Sequence, residues 1–217
     1  MKKIILSTFA TLFVVACFAQ SEKYMNTMKE KVAAVDTTWD ATNLKSLSAA
    51  FERIADVEKT QWHPYYYAAL TQVNAAFVSA MGGQPSAAVI DPLADKAEQL
   101  LAKAEALTKD NSEIFVVKKM IATARLMADP MNRYMQYGPV AQQALETAKK
   151  LNPDNPRVYL LEGQDKLYTP EQFGGSKTEA KKLFEEALKK YESYKPASAI
   201  DPSWGKSSIQ YLMTQTN

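Results

Sequence analysis

A small–large–small triplet of apolar residues recurs along the chain. It reads Ala50, Ile54, Val57, then Ala97, Leu101, Ala104, then Ala141, Leu145, Ala148, and last Ala180, Phe184, Ala187. Spacings of four and three put each triplet on one face of an α-helix. The small ends let a neighbouring helix approach, and the large centre fills the gap. A second pattern alternates with the first. A helix start is followed three residues later by an aromatic: Pro64 leads to Tyr67, Ser112 to Phe115 and Pro156 to Tyr159, and Pro202 is followed by Trp204. Proline at the first helical position loses no bond, because that N–H has no partner within the helix. Asn155, Asp201 and Asp91, each just before a proline, supply N-cap oxygens.

The two patterns predict helices over 22–35, 43–59, 65–80, 92–108, 112–128, 139–151, 156–168, 177–194 and 203–214. Between them lie stretches punctuated by Gly and Pro: 81–86, 128–139 and 169–175. Ser176 and Glu179 form a capping box into the last long helix. The expected fold is all-α, a solenoid of about four antiparallel hairpins closed by a short C-terminal helix.

Ala141, Leu145, Ala148 and Pro153, followed by the turn Asn152-Pro153-Asp154-Asn155-Pro156, resemble the second half of a tetratricopeptide (TPR) repeat, and Gly163 matches the small residue of its first helix. The likeness spans most of 21–213 and is poorest over 21–60. Repeats of about 45 residues exceed the 34 of the standard unit, and the surplus falls between the first (A) and second (B) helix of each hairpin. The resemblance implies a non-enzymatic scaffold that holds a protein or peptide through the groove lined by A helices and the rim of A–B loops. The alternative is a small-ligand-binding accessory protein for solute transport in a bacterial envelope.

Composition narrows the classes. With 217 residues, 47% hydrophobic and 23% charged, the chain can bury a substantial core and reads as one domain over 20–217. Lys2 and Lys3, the apolar run 4–16 and the Phe18-Ala19-Gln20 junction predict a signal peptide over 1–19. A periplasmic or otherwise exported protein follows. Val14-Val15-Ala16-Cys17 also resembles a bacterial lipobox, which would anchor an envelope lipoprotein at Cys17 and supply the one predicted membrane contact. Without Lys2 and Lys3 the chain holds 24 basic and 24 acidic residues, so no basic excess drives nucleic-acid binding.

No catalytic group, cofactor or metal site is predicted. Cys17 is the one cysteine and His63 the one histidine, which leaves no nucleophile–base pair and no ligand set. Gly174-Gly175 before a helix has the form of a weak anion nest, and turn formation explains it better. The expected contact residues are Tyr65 and Tyr66, one of which faces the groove, with Arg133, Tyr134 and Tyr137 on the 131–137 segment and Phe173 on the next A–B loop. Aromatics, Met and Arg, here including Met131 and Met135, are the residues that interface centres favour. The alternative is that 131–137 folds over its hairpin and buries its own rings.

Overall fold

The computed structural model describes residues 22–83 and 85–217. The predicted signal peptide and Cys17 lie outside the described residues. Helix α1 covers residues 22–35. It is followed by α2 (Ala41–Val57), α3 (Trp62–Met81), α4 (Ala87–Leu107), α5 (Ser112–Met127) and α6 (Pro130–Leu151). Then come α7 (Pro156–Tyr168), a 3-10 turn (Glu171–Phe173), α8 (Lys177–Ser193) and α9 (Lys206–Thr214). No strand occurs among the described residues.

Helices α3 and α4, α5 and α6, and α7 and α8 pair as antiparallel hairpins, and α2 packs on α3. The fold is therefore an all-α stack of hairpins closed by α9, as the periodicity predicts. Three of the four triplets are buried as expected: Ala97, Leu101 and Ala104, Ala141, Leu145 and Ala148, and Ala180, Phe184 and Ala187. The first is out of register. Helix α2 buries Leu44, Leu47, Ser48, Phe51 and Ala55, while Val57 is exposed. Ser48 explains the shift, because its hydroxyl donates to the Ala68 carbonyl at 2.9 Å and accepts from Gln72. A polar residue thus sits on the core face, which an apolar pattern does not register.

Of the three stretches read as loop, 169–175 is a turn around the 3-10 element and the described residues of 82–86 lie outside any helix, whereas 128–139 is mostly helix. Helix α6 starts at Pro130, with Asp129 accepting from the Asn132 N–H, and runs through Pro139. Helix α4 starts at Ala87 and runs through Pro92. Asp129-Pro130 gives α6 a capped start nine residues ahead of Pro139. Asp91, read from the sequence as an N-cap, lies inside α4 and pairs instead with Arg133.

All A–B turns lie at one edge of the stack. At the opposite edge α3, α5 and α7 begin, and there a C-terminal strap, residues 198–205, crosses back over the early helices. Trp204 Nε1 donates to Tyr66 Oη at 2.8 Å, and Asp36, just past α1, accepts from the Gly205 N–H at 3.1 Å. The helix predicted from 203 starts instead at Lys206, after Gly205 at φ 101°. Under the strap lies a buried ion pair. Arg157 grips Glu113 through Nε (2.9 and 3.0 Å) and Nη2 (2.6 Å), and Tyr66 and Asn155 also donate to Glu113. The Arg157 guanidinium lies against the rings of Tyr194 and Trp204.

Candidate functional site

The segment 131–137 becomes a surface once it is helical. Met131, Tyr134 and Met135 stand at i, i+3 and i+4, one face of α6. They are 92%, 61% and 83% exposed, and Val140 on the same helix is exposed as well. A Cβ at position 138 would lie 3.2 Å from the Tyr134 ring, so Gly138 lets that ring lie along the helix. The result is a stripe of thioether and aromatic surface beside the A–B turns. Large apolar side chains grouped in the open mark a contact surface.

What holds this stripe in place faces the other way. Arg133 makes a two-pronged pair with Asp91 of α4, at 2.6 and 2.8 Å, and also donates to the Arg125 carbonyl of α5. The Arg133 hydrogen bond holds the Asp91 carboxyl below its usual range. Tyr137 is half-buried beneath the Arg133 guanidinium. These two residues position α6 rather than standing free to meet a partner.

The remaining predicted residues separate. Tyr65 is half-buried, with its hydroxyl toward the Ala55 carbonyl of α2 and Lys103 of α4 over its ring, so it faces the B helices. Tyr66 is fully buried in the Glu113 network and lines no open groove. Burial there pushes its hydroxyl well above the usual phenol range. Phe173 is 72% exposed on the α7–α8 turn, at the same edge as Tyr134. The structure thus keeps Tyr134 and Phe173 open, assigns Arg133 and Tyr137 to support, and takes Tyr65 and Tyr66 inside. Met131 and Met135, contact types by composition but not among the expected contact residues, join Tyr134 here. Their i,i+4 spacing marks a face only if the segment is read as helix.

Other candidates carry less. His63 is buried, and its Nε2 lies 2.6 Å from Asp201 Oδ1. Asp201 can only accept, so Nε2 carries the proton and Nδ1 is left buried without a partner. Burial holds this imidazole below its usual value, against the opposing pull of Asp201. The backbone N–H groups of Gly174, Gly175 and Ser176 are all spent on local carbonyls, which removes the anion nest. A groove of about 450 Å³ lies at the opposite edge, beside the strap. Trp62, Lys109 and Tyr194 line it together with the carboxylates Asp110, Glu113 and Asp201. Among the described residues no cluster of three or more His, Cys, Asp or Glu is arranged to hold a metal ion, and no helix is long and apolar enough to cross a membrane.

The described residues thus form a hairpin stack that opens an apolar stripe on α6. No known protein-family model and no curated sequence matches the chain. A solved structure does: the HusA haemophore from Porphyromonas gingivalis is 38% identical, with a TM-score of 0.77 over 89% of this chain and 92% of that one. The chain belongs to the family of that haemophore.

Proposed function

We propose that this chain is an exported binding protein whose ligand is a porphyrin, haem in particular, received on the α6 stripe. Kinship at 38% identity over nearly the whole length of a haemophore, a carrier of haem, is the observation that carries this reading. It favours the small-ligand alternative over a protein partner, although the stripe has the composition of a protein contact too. Export rests on the N-terminal pattern of basic, apolar and small residues.

The surface suits the chemistry. A porphyrin presents a flat π face of low polarity, which stacks on aromatics and packs against thioethers. Met131, Tyr134 and Met135 offer such a face without obstruction. Tyrosinate and methionine are also among the side chains that hold haem iron. The lone histidine is not available in this conformation, since His63 is buried and engaged with Asp201. The groove at the opposite edge is a poorer host, because Asp110 and Asp201 line it and Glu113 is already engaged by Arg157.

The test is a fluorescence titration with metal-free protoporphyrin IX and an absorbance titration with haemin. Tyr134→Ala should weaken both by about tenfold, the loss expected for about 60 Å² of apolar contact. Val57→Ala, which trims an exposed side chain at the C-terminal end of α2, at the opposite edge of the stack, should leave both unchanged. Equal affinity of wild type and Tyr134→Ala would sink the assignment of the stripe. Failure of the wild-type chain to bind either porphyrin would sink the ligand.

A further inference from the structure

The strap is held in the way a recognition groove holds a peptide. Three tyrosine hydroxyls take every second carbonyl along it. Tyr67 donates to Ile200 O at 3.0 Å, Tyr194 to Pro202 O at 2.9 Å and Tyr191 to Trp204 O at 2.6 Å. Burial pushes the Tyr67 and Tyr191 hydroxyls far above the usual phenol range, so they stay protonated as donors. Side chains add to the grip: His63 meets Asp201, the Trp204 indole donates to Tyr66, and Asp36 receives the Gly205 N–H. Beyond the strap, Ile209 and Leu212 of α9 join the cluster of Leu160, Ala180 and Phe184.

The connection to the body is of a different character. Lys195, Pro196 and Ala197 are all exposed. Downstream of them the strap meets His63, Tyr66 and Tyr67 at separations of 133 to 138 residues, and Asp36 at 169. Bonds this remote in sequence are the same whichever chain supplies the strap.

We propose that residues 198–217 are an exchangeable element, and that the surface they occupy accepts the same element from a second copy of this chain. The product is a reciprocal dimer in which 195–197 serves as the hinge. A short tether gives the chain's own strap an effective concentration of order millimolar. The closed monomer therefore prevails at micromolar concentrations, and exchange requires the strap to open while the chain is concentrated.

The experiment mixes two full-length populations carrying different affinity tags. They are incubated near millimolar concentration in sub-denaturing urea, returned to buffer and captured through one tag. Hydrogen exchange at the Gly205 amide reports opening in the same samples. The expected result is a mixed species of twice the chain mass by light scattering, formed in step with Gly205 exchange. A chain lacking 195–197 should dimerise even at micromolar concentration, because its strap no longer reaches home in cis. Two results overturn the proposal: Gly205 exchanges while no mixed species is captured, or Gly205 stays as protected as the α3 core throughout the urea range. Both readouts are independent of porphyrin binding.

Discussion

Gly163 of α7 faces the ring of Phe184 on α8, and adding one methyl group there sets two opposed effects against each other. An alanine Cβ would sit 2.5 Å from Phe184 Cε1 and 2.7 Å from Cδ1, where relaxed carbon contacts lie at about 3.5–4.0 Å. The ring would have to retreat by about 1 Å, but Phe184 is fully buried and Ala180 and Ala187 flank it. Overpacking of this kind costs about 1–3 kcal/mol, and a clash this close belongs in the upper half of that range. Alanine also gains about 1 kcal/mol over glycine in a helix interior. The net loss is about 1–2 kcal/mol, which lowers Tm by about 2–8 °C for a chain of this size. Thermal and urea unfolding followed by circular dichroism measure it. In a Phe184→Leu background the methyl has room, and the same Gly163→Ala change should stabilise by about 1 kcal/mol. If Gly163→Ala stabilises both backgrounds equally, α7 and α8 do not pack as described.

Three more tests address the network, the histidine and the positioning of α6. Arg157→Ala strands the buried Glu113 carboxylate and should cost about 3–5 kcal/mol, while the paired change Arg157→Met with Glu113→Gln should recover most of it; urea midpoints decide, and a loss below about 1 kcal/mol for the single variant contradicts the buried pair. His63 has a folded pKa below the 6.5 of a free imidazole, so the stability it contributes is present above about pH 6.5 and declines as pH falls through the lower folded value. His63→Gln should flatten that limb of the Tm–pH curve, and an unchanged curve would remove His63 as its cause. Arg133→Ala should change global stability by less than about 1 kcal/mol, since the pair with Asp91 is partly exposed; amide exchange over 130–138 should nevertheless quicken, and unchanged exchange there would show that α6 needs no staple.

The hairpins are legible in the sequence because helix packing repeats. Ala97, Leu101 and Ala104, and the two later triplets, record faces whose period survives in the residue types. Helix α2 is less legible, since Ser48 is drawn into its core face by a distant carbonyl. The candidate site is half legible. Tyr134 and Phe173 announce themselves as aromatics between the A and B helices of a hairpin, but Met131 and Met135 share a face with Tyr134 only when 130–138 is helical. That depends on which of two prolines, Pro130 after Asp129 or Pro139 after Gly138, begins α6. Tyr66 is misplaced for the opposite reason: its partners, Glu113 and Trp204, lie 47 and 138 residues away. The strap is illegible by any local pattern, because what fixes Ile200 to Gly205 is a set of tyrosines, a histidine and an aspartate gathered from three separate stretches of chain.

The central claim is that a porphyrin is received on α6, at the edge where A helices turn into B helices. Amide chemical shifts of residues 20–217, recorded with and without metal-free protoporphyrin IX, test it most directly. The account predicts that the changes concentrate on 130–140, with a secondary set on the neighbouring turn around Phe173. Shifts centred on 108–113 and 194–202, around the groove at the opposite edge, would contradict it.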